Sequence, residues 1–186
     1  MRRFALAAGL VAACFSAACG GDDGDAGEAP VAGATVPGFV FTTGDVTDGR
    51  PIDQRYTCDG EDVSPALAWE GTPDGTAELA LVVDDPDAPG GSFVHWVAYG
   101  IPPGQTGLAT GTTEGLVEGA NDAGGLGWAG PCPPAGETHG YVFTLYALDE
   151  ETGVEEGASL DDLRRAMDGH VLGAATLTAP YARESK

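Results

Sequence analysis

Residues 79–83 form an unbroken apolar run, the pattern of a strand buried on both faces. Residues 93–99 alternate instead, which places Phe93, His95, Val97 and Tyr99 on one face and Val94, Trp96 and Ala98 on the other. Residues 140–148 predict a third strand with Tyr141, Phe143 and Leu145 sharing a side, and 39–43 and 171–178 read as strands near the two ends of the folded region. Glycine and proline cut the chain between these segments too often for long elements. One helix stands out. Ser159 suits its N-cap, Asp161 and Asp162 fill its first turn, Leu160, Leu163 and Met167 make an apolar stripe, and Gly169 ends it. Many strands with one or two short helices predict a mainly β fold, an antiparallel β-sandwich rather than a βαβ arrangement.

The N-terminus is patterned differently. Met1, Arg2 and Arg3 precede an uncharged, alanine-rich run over 4–18, the signature of a secretory signal and too short a run for a good membrane span. Residues 1–18 are therefore expected to be a signal peptide. Cys19 follows Ala17-Ala18 and opens into Gly20-Gly21-Asp22-Asp23, which resembles a bacterial lipoprotein signal whose cysteine becomes lipid-modified. Cys14, after Val11-Ala12-Ala13, is the alternative. Cys19 is preferred because it leaves a longer apolar run and leads straight into a linker. Residues 19–35 then form the lipidated cysteine and a flexible acidic linker, and 36–186 the folded domain. The expected location is the extracytoplasmic side of a bacterial membrane, with the lipid anchor as the sole contact, since stable anchoring takes more than one acyl chain.

Charge narrows the partners. The chain has 29 acidic and 8 basic residues, a formal −21, and loss of Arg2 and Arg3 on export takes this to −23. A nucleic-acid partner is excluded, because phosphate contacts demand the opposite sign. So is a polybasic grip on anionic lipid. Beyond the signal region Cys58 and Cys132 are the only cysteines, a disulfide candidate in an oxidising compartment. Closing that loop would stabilise by about 4 kcal/mol on the chain-entropy account.

Candidate chemistry gathers in two proline-stiffened loops. Asp85, Pro86, Asp87 and Pro89 lie between the strands at 79–83 and 93–99, and a hairpin there would bring both carboxylates to the same sheet end as His95. The second loop, 130–136, carries Pro133 and Pro134 and leads to His139 at the mouth of the next strand. Each element alone has an ordinary explanation. Asp-Pro pairs start turns, a lone histidine on a strand is commonly a hydrogen-bonded core residue, His170 suits a helix cap, and Trp69, Trp96 and Trp128 suit packing.

Taken together the stretches RYTCDGEDVSP at 55–65, DPDAP at 85–89, VHW at 94–96, GPCPP at 130–134 and HGYVFTLYALD at 139–149 resemble the phosphatidylethanolamine-binding protein family, in its bacterial, Raf kinase inhibitor-like branch. The resemblance implies a β-sandwich with a small pocket for phosphate-like anions and phospholipid head groups, without catalysis and without a cofactor. Its ligand-binding residues would be Asp85, Asp87, His95, Pro133, Pro134, His139 and Tyr141. Family members commonly carry arginine between the histidine and the tyrosine, whereas this chain has Gly140. With so negative a chain, binding would rest on local donors, namely the two imidazoles, loop N–H groups and the Tyr141 hydroxyl. It should then tighten as pH falls toward about 6.5.

Three other readings compete. Two histidines and two aspartates are acceptable ligands for a divalent metal. A histidine beside an aspartate suits a hydrolase, but no Gly-x-Ser-x-Gly turn supplies a nucleophile. An extracytoplasmic protein, such as a protease or a kinase-like sensor, is the third candidate partner. Gly125, Gly127 and Gly130 match a dinucleotide-binding spacing, but the prolines that follow forbid the helix it requires.

Overall fold

Leu79, Leu81 and Val83 turn one way from their strand while Ala80 and Val82 turn the other, so a single apolar run feeds two separate clusters. In the computed structural model, which describes residues 34–42 and 44–185, that strand sits at the centre of a sheet. The signal peptide, Cys14, Cys19 and nearly all of the acidic linker lie outside the described residues.

The strands are β1 (Val40–Phe41), β2 (Leu67–Glu70), β3 (Glu78–Asp85), β4 (Phe93–Ile101), β5 (Gly107–Leu108), β6 (Val117–Glu118), β7 (Thr138–Leu148) and β8 (Val171–Ala182). A five-stranded sheet has the order β6-β4-β3-β7-β8, and a three-stranded sheet the order β1-β2-β5. All pairings within them are antiparallel. Phe39, Leu67, Trp69 and Leu108 on the small sheet's side pack with Leu79, Trp96, Phe143 and Leu177 of the large one, so the main core fills the space between the sheets. The expected β-sandwich is what forms.

The opposite face of the large sheet is covered by the helix α1 (Leu160–Met167). Its Leu160, Leu163 and Met167 meet Val82, Val97, Tyr99 and Tyr146. The Ser159 hydroxyl accepts from the Asp162 N–H while the Asp162 carboxylate accepts from the Ser159 N–H, a reciprocal cap. Gly169 follows at φ +81°, a conformation glycine adopts without strain. His170 differs from expectation: its ring pairs with Asp149 at 2.9 Å, and its backbone N–H caps the helix by donating to Met167. A short 3-10 turn, Gln54–Tyr56, is the second helical piece.

The face assignment along β4 needs one correction. Val83 is opposite Trp96 but Asp84 is opposite Val94, so His95 is an extra residue on β4, a β-bulge. Strict alternation put His95 with Val97 and Tyr99. The bulge instead turns it to the inner face with Phe93 and Trp96, while Val94 joins the helix side.

Candidate functional site

β3 ends, β4 begins and β7 begins at one end of the large sheet, because Asp85 pairs with Phe93 and Asp84 with Val142. Inner-facing positions at that end are Asp85, His95 and His139, and they open on a cavity of about 330 Å³. That volume lies at the lower end of the roughly 300–1,000 Å³ typical of small-molecule sites. The opposite wall is the loop containing Gly130, Cys132, Pro133 and Pro134, together with Cys58 and Asp62. Pro89 and Phe93 complete the rim.

The second wall is firmly held. Cys58 and Cys132 form the expected disulfide, with Cα atoms 5.5 Å apart. The Cys58 N–H donates to the Pro131 carbonyl at 3.2 Å, the Gly130 N–H to Asp62 Oδ1 at 2.7 Å, and the Trp128 indole to the Tyr56 carbonyl at 3.0 Å. A Cβ at Gly130 would stand 2.4 Å from Asp62 Oδ1 and 2.6 Å from the Tyr56 carbonyl oxygen, so only glycine permits this approach. Asp62 itself has φ +55°, the one non-glycine residue in that region among the described residues.

The two histidines are held differently. His139 Nδ1 donates to Asp85 Oδ2 at 2.7 Å and its Nε2 lies 3.4 Å from Glu137 Oε2. Burial opposes a charge on this ring, yet the hydrogen bonds to Asp85 and Glu137 outweigh it and raise the pKa. Asp85 uses its other oxygen to accept the Asp87 N–H at 2.9 Å.

His95 Nδ1 lies 2.6 Å from the Ala129 carbonyl oxygen, and the Ala129 N–H donates back to the His95 carbonyl at 2.9 Å. A carbonyl only accepts, so Nδ1 carries the hydrogen. Burial is the main influence on this ring and lowers its pKa, against the pull of Ala129 and of Asp85, Asp84 and Asp122. The ring lines the cavity.

Of the residues singled out from sequence, Asp85, His95, Pro133, Pro134 and His139 line the cavity. Asp87 and Tyr141 stand behind it. Asp87 accepts the Gly140 N–H at 2.8 Å and braces the start of β7. Tyr141 is wholly buried, packs edge-on against His95 at 5.1 Å, and its hydroxyl finds no hydrogen bond of normal geometry. Burial, and then the nearby Asp85 charge, push its pKa above the ordinary phenol range. The alternation along β7 turns position 140 away from the cavity. A Cβ there would lie 3.4 Å from Asp87 Oδ2, so a side chain at this position meets Asp87.

Sequence reasoning missed Asp62, Phe93, Glu137 and the Ala129 carbonyl. Asp62 carried a usable signal, standing within the motif at 55–65 beside a disulfide candidate. A carbonyl's role has no side-chain signature at all. A second hollow of about 380 Å³ lies around Glu78, Tyr99, Pro102 and Thr152. Its Glu78 carboxylate is already occupied by Gly100 and Thr152 donors, which suits loop anchoring.

Residues 42–182 match the family model for phosphatidylethanolamine-binding proteins. The chain belongs to that family. A UPF0098 protein of Methanothermobacter thermautotrophicus is 51% identical over 142 residues, covering 73% of this chain and 93% of the relative. LppC of Mycobacterium tuberculosis, provisionally named a lipoprotein, is 39% identical over 188 residues, 94% of this chain and 93% of its own. Among solved structures, a phosphatidylethanolamine-binding protein homologue from Chlamydia trachomatis superposes with a TM-score of 0.75 at 37% identity, covering 78% and 98% of the two chains. E. coli YbcL gives 0.72 at 31%, covering 80% and 99%. Within the family fold, the cavity of this member is built by the ends of β3, β4 and β7.

The metal reading finds no geometric support. His139 directs both nitrogens at carboxylates, and among the described residues no three His, Cys, Asp or Glu side chains converge as ligands. No helix among the described residues is long and apolar enough to cross a membrane.

Proposed function

We propose that the cavity binds a small phosphate-like anion or a phosphorylated head group, without catalysis, in a domain held outside the cytoplasm by a lipidated Cys19. The observation that carries this reading is His139, buried in the wall of a ligand-sized cavity with its pKa raised by hydrogen bonds to Asp85 and Glu137, in a chain of strongly negative charge. Local groups that take up positive charge readily are what an anion requires once long-range attraction is absent. The family's description supports a phospholipid-type ligand, and the resemblance to LppC along nearly the whole chain supports the anchor.

The absence of catalysis rests on the arrangement of the groups. The two cysteine sulfurs of the wall are bonded to each other and carry no thiolate. His95 is oriented by a backbone carbonyl, and among the described residues no serine lines the cavity.

Calorimetric titration of the purified chain with phosphorylethanolamine and with inorganic phosphate tests the reading. Saturable binding that is lost in His139→Ala is expected. No heat at millimolar ligand, from a variant-free and folded sample, would overturn it. Retention of a Cys19→Ser variant in the aqueous phase of a detergent partition, with the parent chain in the detergent phase, is the matching result for the anchor.

A further inference from the structure

The Cys58–Cys132 bond lies in the wall of the cavity, and both of its residues are exposed. It joins two loops rather than two strands. Cys58 follows the 3-10 turn Gln54–Tyr56, and Cys132 stands between β6 and β7. Neither residue belongs to either apolar cluster. What the bond fastens is the lip at 132–135, where Pro133 and Pro134 line the space. On one side of the lip the Gly130 N–H donates to Asp62 at 2.7 Å and the Pro131 carbonyl accepts from the Cys58 N–H at 3.2 Å. On the other side the Gly136 N–H donates to the Arg183 carbonyl at 2.8 Å. Disulfides reachable from solvent are the labile ones, because an attacking thiolate needs access to sulfur.

We propose that Cys58–Cys132 is a site of thiol–disulfide exchange for an external dithiol, and that its reduction frees the 132–135 lip of the cavity without unfolding the domain. One sulfur of the dithiol, as thiolate, attacks the Sγ of Cys58 or Cys132. The S–S bond breaks, and the other cysteine leaves as a thiolate that takes up a proton. The second sulfur of the dithiol then displaces the first cysteine from the mixed disulfide, so the reductant departs as a disulfide and the protein holds two thiols. The domain survives because its sheets, helix and apolar clusters contain neither cysteine. Charge selects the partner. Asp59, Glu61 and Asp62 follow Cys58 closely, and Asp62 and Asp85 line the cavity beside the bond. The arginines at hand are already paired, Arg55 with Glu61 and Arg183 with Asp59. An anionic thiol is therefore repelled, and a dithiol carried on a neutral or basic protein surface fits. The inference concerns the wall and stands independently of what the cavity holds.

The test treats the purified chain with dithiothreitol at neutral pH and follows the free thiols by alkylation and mass. Reduction should proceed from the folded state, at a rate proportional to the dithiothreitol concentration. Hydrogen exchange of the reduced protein should then quicken at least about tenfold at the amides of Cys58, Gly130 and Gly136, while those of β3 and β7 stay protected. A Cys58→Ser/Cys132→Ser variant should show the same pattern with no reductant present. Cysteamine, a cationic thiol, should open the bond about tenfold faster per thiolate than anionic mercaptoethanesulfonate at low ionic strength, and the gap should close in high salt. A bond that resists reduction until the chain is unfolded would overturn the proposal. So would loss of β3 and β7 protection along with the bond, or a lip whose exchange is unchanged in the reduced protein and the variant. Equal rates for the two thiols would overturn the choice of partner.

Discussion

His139 donates to Asp85 across 2.7 Å while the two side chains retain only 5% and 4% of their exposure, a buried hydrogen-bonded pair in the wall of a cavity that raises the histidine pKa. Removing one member of such a pair leaves the other charge without compensation. Asp85→Ala should lower the unfolding free energy by about 3–5 kcal/mol, measured by urea denaturation near pH 6. Asp85→Asn, which retains an acceptor, should cost less and should lower the His139 pKa below that of the parent, as followed by NMR titration.

The two imidazoles predict opposite slopes of stability with pH. His139 has a raised folded pKa, so its contribution is fully present below the unfolded value of about 6.5 and is lost as pH rises through the folded one. His95 has a depressed folded pKa, so the unfolded chain takes its proton first and stability falls as pH drops from about 6.5 to the folded value. His139→Gln should flatten the alkaline side of the profile and His95→Gln the acid side. Identical flattening in both variants would contradict this assignment.

Two glycines of the site should respond differently to a methyl group. Gly130→Ala drives a Cβ to 2.6 Å from the Tyr56 carbonyl oxygen and should cost about 1–3 kcal/mol. Gly140→Ala meets Asp87 at 3.4 Å, an ordinary contact, and should stay within about 0.5 kcal/mol of the parent. Thermal unfolding of the two variants side by side reads the difference.

The Cys58–Cys132 bond spans 74 residues, and its loss should cost about 4 kcal/mol on the chain-entropy account. For a domain of this size the melting temperature should fall by about 10 °C, equally in the parent with reductant and in the Cys58→Ser/Cys132→Ser variant without it. A drop confined to the reductant-treated parent would mean that the effect is not that of this bond.

Long strands were readable because burial leaves a period: β3 on both faces, and β7 through Tyr141, Phe143 and Leu145. The helix was readable because Ser159, Asp162 and Gly169 are end signals with local physical causes. β1 falls within the strand read at 39–43, whereas β5 and β6, with two residues each, are too short for any periodicity and left no trace in the pattern. The bulge at His95 was equally hidden, since an inserted residue shows only in the register of a partner strand. Resemblance therefore supplied the right side chain while alternation assigned it the wrong face. The role of Ala129 lies in its backbone, where residue identity is silent.

The disulfide has a topological consequence. The closed loop runs from residue 58 to residue 132 and contains Asp85, the exposed Gly90-Gly91 turn and His95. A protease that clips that turn produces two polypeptides that remain one molecule, joined covalently at the rim of the cavity. Nicked protein should migrate as a single species until it is reduced. Damage at this exposed tip is thereby uncoupled from loss of the parts that hold the site together.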